Sequence, residues 1–294
     1  MQYNPFAADG RWFRGILHTH TTKSDGKWEP EQVVRWYADQ GYDFVCLTDH
    51  GKVTRIEPEP GGPLLIPSEE IDFADPERRV GYHMVALDIA EAISINRTAR
   101  GQEGVDRIRQ AGGEAILCHP YWSSQTVEDL LSIEGALGVE VFNTSCQVSI
   151  AKGLSSVHWD DALGRGKRWF GFAVDDSHWR RMDGAGGWVM VRAAELSRPA
   201  IMAALRAGAF YSSQGPVVEE ITFTEPGRVR VRCSPARDVH FVGRGSRGYC
   251  VHAGSEGPLL TEAEGEFRPD QGYLRIEVVD AAGRTAWTNP WFLE

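Results

Sequence analysis

The sequence predicts an α/β fold followed by an all-β region, and three observations support this. Strand-like apolar runs alternate with helix-like stretches through the first two thirds of the 294 residues, a pattern typical of parallel strands with helical crossovers. After Gly215 and Pro216 the helix-like stretches stop, and short runs of alternating apolar and polar residues follow. Most of the nine His residues lie in or at the ends of strand-like runs, several of them beside carboxylates.

The chain begins with a strand, a helix and a second strand. Apolar runs predict strands at residues 14–20 and 42–48. Residues 30–40 between them form an amphipathic helix, with Pro30 in its first turn and Gly41 at its end. Further strands are predicted at residues 64–66, 82–87, 115–118, 139–142, 170–174 and 188–191, and further helices at 104–111, 127–134, 158–164 and 199–207.

Residues 217–294 are predicted to form a small β-sandwich. Short alternating strands at 221–224, 229–233, 239–242 and 274–279 are separated by Gly, Pro, Asp and Arg. The sequence thus predicts two domains, residues 1–216 and residues 217–294. Trp287, Trp291 and Phe292 form too apolar a group for a free tail, so we expect them to dock on the first domain or complete the sandwich core. A carbohydrate-type binding surface is the alternative.

Residues that can bind metal recur where the strand-like runs end. His18 and His20 lie two residues apart in a strand, so both side chains point to one face and can reach one ion. One such pair is weak support, but several separate motifs together predict a metal centre. The other motifs contain Asp25, His50, the pair Glu69 and Glu70, His83, His119, and the pair Asp176 and His178.

In this order the motifs resemble the PHP superfamily, the polymerase and histidinol phosphatase domain. Its members are metal-dependent phosphoesterases with a distorted seven-stranded β/α barrel. The resemblance runs over residues 14–178, and residues 187–191 and 207–216 are similar to the CehA/McbA-like branch. It implies a PHP-type barrel for residues 1–216, a length that suits one barrel of about 200 to 250 residues, with the small β-sandwich as an appendage.

The resemblance also implies three divalent metal ions. By it, His18, His20, Glu70 and Asp176 hold one ion, Glu70 bridges to a second held by His83 and His119, and Asp25, His50 and His178 hold a third. The catalytic residues that it implies are Glu70, His119, Asp176 and His178. Ser68 stands where the family commonly has Gly two residues before the bridging Glu, which keeps Glu69 open as the alternative to Glu70.

The predicted function is hydrolysis of a small phosphorylated molecule or nucleotide. Imidazole and carboxylate together favour Zn, Mn or Fe over Mg or Ca, whose sites consist mainly of oxygen. Two ions bridged by Glu70, roughly 3.5 Å apart, would turn a shared water into a nucleophilic hydroxide, and the third would bind phosphate oxygens. Two alternatives stay open: a carboxyl or carbamate ester hydrolase that uses the same ions, and a noncatalytic, metal-stabilised binding module.

Composition limits the partners of the chain. A net charge of -10 argues against binding to a nucleic-acid polymer, which requires clustered Lys and Arg. Neither a run of about 18 apolar residues nor a signal-peptide pattern occurs, and the five Cys form no disulfide framework. We therefore expect a cytoplasmic protein without membrane contact that acts on a small phosphorylated substrate. Its oligomeric state is not indicated.

Several residues near the motifs are candidates for supporting roles. Asp49 can orient the His50 imidazole, although a turn or cap role is equally favoured. Asn143 at a strand end is a weaker candidate, since turn Asn is common. We expect caps or surface positions for His158, His240 and His252. The basic residues that can bind a substrate phosphate are Lys52, Arg97, Arg180 and Arg181.

Overall fold

A computed structural model describes residues 4–224, 227–255 and 257–293. These residues contain six α-helices, two short 3-10 helices and eighteen strands. The helices are α1 (Pro30–Asp39), α2 (Gly101–Gln110), α3 (Val127–Leu131), α4 (Thr144–Ile150), α5 (Ser156–Gly164) and α6 (Arg198–Arg206). The first ten strands are β1 (Arg11–Ile16), β2 (Phe44–Val45), β3 (Leu64–Leu65), β4 (Ser68–Asp75), β5 (Val80–Leu87), β6 (Glu114–Leu117), β7 (Gly138–Asn143), β8 (Phe170–Val174), β9 (Trp188–Ala193) and β10 (Phe210–Ser213). The others are β11 (Val218–Phe223), β12 (Arg228–Ala236), β13 (Asp238–Val242), β14 (Gly248–His252), β15 (Leu260–Glu266), β16 (Tyr273–Val279), β17 (Thr285–Thr288) and β18 (Trp291–Phe292).

The first eight strands divide between two sheets that meet at the ends of their strands. β1, β2 and β3 are parallel neighbours at one end of a ten-stranded sheet, and β4 to β8 form a five-stranded sheet. An isolated bridge between Thr19 and Ser177 joins the chain after β1 to the chain after β8, and a second joins His50 to Glu70. The mixed α/β prediction is confirmed. The strand pairing of the described residues does not close into one continuous barrel.

The five-stranded sheet is only partly parallel. β6, β7 and β8 are parallel, whereas β4, β5 and β6 pair antiparallel. The link from Asp75 to Val80 is too short for a helical crossover, so β4 and β5 must form a hairpin. The Asp75 carboxylate accepts the backbone N–H groups of Glu77 and Arg78 and thereby fixes the turn. The sequence predicted strands at 64–66 and 82–87 on either side of β4 but missed β4 itself, because it begins with polar residues.

Helix α1 packs beside β1 and β2. Its apolar face, Val33, Val34 and Tyr37, is buried in one core with Ile16 and Val45. Burial of each such side chain stabilises the fold by about 1.5 to 3 kcal/mol. The structure confirms the helix predicted at 30–40.

The C-terminal strands continue a sheet that begins in the N-terminal part. β13, β14, β16 and β17 belong to the same ten-stranded sheet as β1, and β17 pairs with β10. β11, β12 and β15 form a three-stranded sheet that shares a hydrophobic core with it. The ten-stranded sheet therefore crosses the predicted boundary between residues 216 and 217. The division into two domains and the separate sandwich stay predictions.

The aromatic rings near the C-terminus dock as expected. Trp287 is 2% exposed and stacks on Phe142 of β7, with 6.0 Å between the ring centroids. Trp291 is buried in the core beneath the three-stranded sheet, and Phe292 packs partly buried on the core that contains Trp287. Among the described helices, none has both the length and the apolar character to cross a bilayer.

Candidate metal centre

The structure brings the predicted ligands together around one cavity of about 310 Å³. His18 and His20 follow β1, Asp25 lies in the next loop, His50 follows β2, Glu70 lies in β4, His83 in β5, His119 follows β6, and Asp176 and His178 follow β8. Seven of these side chains line the cavity, and His18 and His20 lie buried beneath it. Alternating side-chain direction in β4 and β5 points Glu70 and His83 toward the same space.

Four buried side chains form an inner group. The Nε2 atoms of His18 and His20 are 3.1 Å apart, and each lies 3.1 Å from Glu70 Oε2. Asp176 Oδ1 lies 3.3 Å from the His18 nitrogen and 3.0 Å from the His20 nitrogen. Burial lowers the pKa of His20, but the hydrogen bonds and charges of Asp176 and Glu70 outweigh it and raise that pKa to about 9.

Hydrogen bonding around the inner group fits a bound cation. His18 Nδ1 lies 2.6 Å from the buried carboxylate oxygen Oε1 of Glu140. A carboxylate only accepts, so this nitrogen carries a proton, and with a metal ion bound at Nε2 the ring would be the neutral Nδ1–H tautomer. Burial lowers the pKa of His18, but the charges of Asp176, Glu70 and Glu140 outweigh it and raise that pKa well above the usual range. The Nε2 atom faces His20 and two carboxylates out of contact with solvent. A positive charge among these atoms removes the repulsion, and a metal ion can supply it.

The other oxygen of Glu70 faces a second group. Glu70 Oε1 lies 2.8 Å from His83 Nδ1 and 3.7 Å from His119 Nε2. Burial raises the pKa of the Glu70 carboxyl, but the charges of His18 and His83 outweigh it and hold the pKa well below the usual range. Glu70 therefore stands, ionised, between two sets of imidazoles.

A third group lies at the mouth of the cavity. Asp25 Oδ2 is 3.1 Å from His178 Nε2, and Asp25 Oδ1 is 3.6 Å from His20 Nδ1 and 4.0 Å from His50 Nε2. The donor atoms of these four residues lie close enough together to hold one ion. His20 thus faces this group through Nδ1 and the inner group through Nε2, a double position that the sequence did not indicate.

His50 contains a buried polar atom without a partner. Its Nδ1 has no hydrogen-bond partner, although it lies 3.5 Å from Glu70 Oε2 and 3.4 Å from Asp72 Oδ1. A buried nitrogen left unpaired costs about 1 to 3 kcal/mol. This cost and the nearby carboxylates fit an ion-binding role for the cluster. Asp72 was not among the predicted site residues, because nothing in the sequence separates it from an ordinary strand carboxylate.

Glu140 and Asn143 of β7 hold the predicted ligands in place. Glu140 Oε2 accepts the backbone N–H of His119 at 2.8 Å and the Asn143 side-chain amide at 2.9 Å. That amide also lies 3.1 Å from Asp176 Oδ2. Such partners orient ligands and fix the imidazole tautomer. Glu140 was not among the predicted site residues, although a charged residue inside the apolar run 139–142 is a usable signal.

Of the two roles considered for Asp49, its contacts are those of a turn residue. Instead of His50, its carboxylate binds the backbone N–H of Thr21 and the hydroxyls of Thr21, Ser24 and Thr54. These bonds tie down the loop that carries Asp25. The role is therefore to fix a turn.

Glu69 faces away from the cavity. Its Oε1 accepts the backbone N–H of Ile93 at 2.6 Å, and its Oε2 is buried without a hydrogen-bond partner. Burial raises the pKa of Glu69 to about 7. Adjacent residues of a strand point to opposite faces, so only Glu70 of the pair lies among the imidazoles.

Basic and aromatic side chains form the rim. Arg180 donates to the Asp25 carbonyl at 3.0 Å and Arg181 to the Val148 carbonyl at 3.3 Å. Both line the cavity, whereas Lys52 and Arg97 do not. The Trp122 ring lies edge-on to His119, with 4.9 Å between the ring centroids. His158 lies outside the cavity, with its Nε2 3.0 Å from the Gln125 carbonyl.

Comparison with known proteins shows likeness only at the level of structure. No protein-family model and no curated protein matches the sequence. A two-domain protein containing a predicted PHP-like metal-dependent phosphoesterase, from Bacteroides vulgatus, matches over 95% of both chains at 16% identity, with a TM-score of 0.53. An amidohydrolase from Chromobacterium violaceum, solved with bound sulfate and no metal, matches 56% of this chain and 87% of its own at 16% identity, with a TM-score of 0.43.

Proposed function

We propose that this chain, which has the fold of a PHP-like protein, is a metal-dependent hydrolase that cleaves a phosphate ester of a small molecule or nucleotide. The observation that carries the proposal is the overlap of three donor groups around one cavity, with Glu70 and His20 each shared between groups. Structural histidines have no physical reason to converge in this way, since buried polar groups are costly.

The proposed ligand sets follow the donor groups. His18, His20, Glu70 and Asp176 hold the first ion, Glu70, His83 and His119 the second, and His20, Asp25, His50 and His178 surround the third. Imidazole and carboxylate donors favour Zn, Mn or Fe. We further propose that seven strands drawn from the two sheets act together as one distorted barrel, which the bridges at Thr19 and His50 support. Membership of the CehA/McbA-like branch stays a prediction.

The residues of the chain prepare this cavity for an anionic substrate. Divalent ions bound here supply Lewis acidity toward phosphoryl oxygens and lower the pKa of water. Glu140 fixes the His18 tautomer through its contact with Nδ1. The Asn143 side-chain amide donates a hydrogen bond to Asp176 Oδ2, and Asp176 Oδ1 faces the imidazoles. Arg180 and Arg181 add positive charge at the rim, where a phosphate arrives. Asp176, His178, His119 and Glu70 stay the proposed catalytic residues.

Metal analysis combined with a substrate panel tests the proposal. Protein purified without chelator is expected to contain more than one transition metal ion per chain by elemental analysis. It should hydrolyse p-nitrophenyl phosphate or bis-p-nitrophenyl phosphate, lose that activity on chelation, and regain it when the metal is restored. Faster hydrolysis of p-nitrophenyl acetate would favour the ester hydrolase. Bound metal without turnover of any of the three would favour the noncatalytic binding module.

A further inference from the structure

A second set of side chains of types that can bind metal lies far from the ligand motifs in the sequence, on two neighbouring strands at the end of the ten-stranded sheet. β13 and β14 pair antiparallel, with Asp238 opposite His252 and His240 opposite Cys250. Residues two apart in a strand point to one face, and directly opposed residues share that face. All four side chains therefore project from the same face of the β13–β14 ladder.

The donor atoms of this set are close together. Cys250 Sγ lies 3.9 Å from His240 Nε2 and 3.5 Å from His252 Nδ1, and His252 Nδ1 lies 2.8 Å from Asp238 Oδ1. In a tetrahedral zinc site, with Zn–S of about 2.3 Å and Zn–N of about 2.0 to 2.1 Å, sulfur and nitrogen ligands are about 3.5 Å apart. The sulfur lies at this distance from His252 Nδ1, 3.5 Å, and slightly farther from His240 Nε2, 3.9 Å.

The surroundings leave this face open to an ion. Val239, Phe241 and Val251 point to the opposite face and pack in the core. The His252 side chain is 68% exposed, and Cys250 is half-buried. Asp238 is anchored, because Arg237 Nε donates to its Oδ2 at 2.8 Å. Its Oδ1 is hydrogen-bonded to His252 Nδ1 at 2.8 Å, and an ion bound to both atoms would replace that hydrogen bond.

We propose that His240, Cys250 and His252, with Asp238 Oδ1 as the fourth donor, bind one zinc-class ion separate from the cavity centre. Thiolate and imidazole together select zinc over magnesium and calcium. On binding, Cys250 gives its thiol proton to solvent and the thiolate sulfur becomes the ligand, while the ring proton of His252 moves from Nδ1 to Nε2 through solvent, so affinity rises with pH. β14 ends the order of strands in the described sheet, and the ion ties it to β13. Sequence spacing alone does not group these four residues, because only the pairing of β13 with β14 brings them together.

Cobalt substitution of the full chain tests the proposal. Thiolate bound to Co²⁺ gives a near-ultraviolet charge-transfer absorption that imidazole and carboxylate ligands do not give. The wild-type chain loaded with Co²⁺ should show this absorption, Cys250→Ser should lose it, and His240→Ala should weaken it. Cys118→Ala is the control, because Cys118 is the thiol that lies near Glu70 and His119. A wild-type spectrum without the absorption, or one lost only in Cys118→Ala, would overturn the proposal.

Metal stoichiometry provides the second measurement. After equilibration with zinc, Cys250→Ser and His240→Ala should each contain one zinc ion fewer per chain than the wild type. Their hydrolysis of p-nitrophenyl phosphate, measured per molecule of the same preparations, should be unchanged. Unchanged zinc content in both variants would refute the site, whether or not the chain is a phosphoesterase.

Discussion

Glu70 connects the inner group to the second group of the cavity, because its two oxygens face different imidazoles. Spacing alone indicated that His18 and His20 share a face, and their Nε2 atoms are 3.1 Å apart. Other features of the site could not be predicted in this way. The partnership of Glu140 with His18 joins residues 122 positions apart, and only the sheet brings them together.

Replacement of Glu70 by Gln should remove metal and activity together. Loss of a residue that merely supports a ligand typically costs 10- to 100-fold, so we expect kcat/KM for p-nitrophenyl phosphate to fall more than about 100-fold. Elemental analysis should show fewer ions per chain. Glu69→Gln is the matched control and should keep both metal and rate. The reverse pattern, with Glu69→Gln inactive and Glu70→Gln active, would contradict the assignment.

Glu69 should make stability depend on pH in a defined window. Its pKa is about 7 in the folded chain, against an ordinary 4.5, so the folded state holds the proton more tightly than the unfolded state does. The stability contributed by this group is therefore complete below pH 4.5 and is lost as pH rises through about 7. Glu69→Gln does not titrate.

The difference between the unfolding free energies of Glu69→Gln and the wild type isolates this effect. Denaturant titrations at about pH 5 and about pH 8 measure it. From the lower pH to the higher, the unfolding free energy of the variant should rise relative to that of the wild type by on the order of 2 kcal/mol. A difference that does not change with pH would show that Glu69 titrates normally.

At the scale of elements, periodic apolar patterns were a good guide and polar segments were not. α1 was predicted at 30–40 and extends over Pro30–Asp39, because its buried face repeats with helical spacing. α4 was missed because Thr144–Ile150 is short and rich in small polar residues; its start is fixed by Asn143, whose side-chain oxygen accepts the Cys146 N–H at 2.9 Å. Such a cap becomes visible only with the structure.

The loop between β1 and α1 depends on Gly26. A Cβ atom at this position would lie 2.7 Å from the backbone of His20 and Thr21, and backbone atoms cannot move aside as a flexible side chain can. Gly26→Ala should therefore displace Asp25 and weaken metal binding at the mouth of the cavity. We expect a loss of about one to two orders of magnitude in affinity for the most weakly held ion.

Competition with a chromophoric chelator measures that loss. Gly61→Ala is the matched control, since Gly61 also lies in a loop and no atom lies within 4 Å of its added Cβ. Its φ of 77° adds some backbone strain, so the control tests for a general effect of loop strain. Equal metal affinity in Gly26→Ala and the wild type would show that the loop adapts.

At the scale of the whole molecule, the C-terminal strands pack against the part of the chain that contains the cavity. Trp287 of β17 stacks on Phe142 of β7, one residue before the Asn143 that binds Asp176. The sequence indicated that these rings are buried, but not that a single sheet extends from β1 to β14. Strand order depends on pairing between distant segments, which local patterns do not encode.

Trp287→Ala should destabilise the full chain by about 3 to 5 kcal/mol, the usual cost of removing a buried Trp ring. Denaturant titration of the metal-replete protein measures this change. Trp122→Ala removes the same ring from a position that is 41% exposed and should cost at most about 1 kcal/mol. An equal loss of unfolding free energy in the two variants would mean that Trp287 does not join the C-terminal strands to the part of the chain that contains the cavity.

The order of strands also constrains how the chain can fold as the ribosome releases it. β9 pairs with β1 and β10, but the other neighbour of β10 is β17, residues Thr285–Thr288. Until that segment emerges, a nascent chain exposes one edge of β10, and an exposed edge invites pairing with other chains. Pairing between segments so distant in sequence is also slow. Newly made chains are therefore prone to aggregation until β17 pairs with β10. Chaperones that cover strand edges should raise the yield of folded protein.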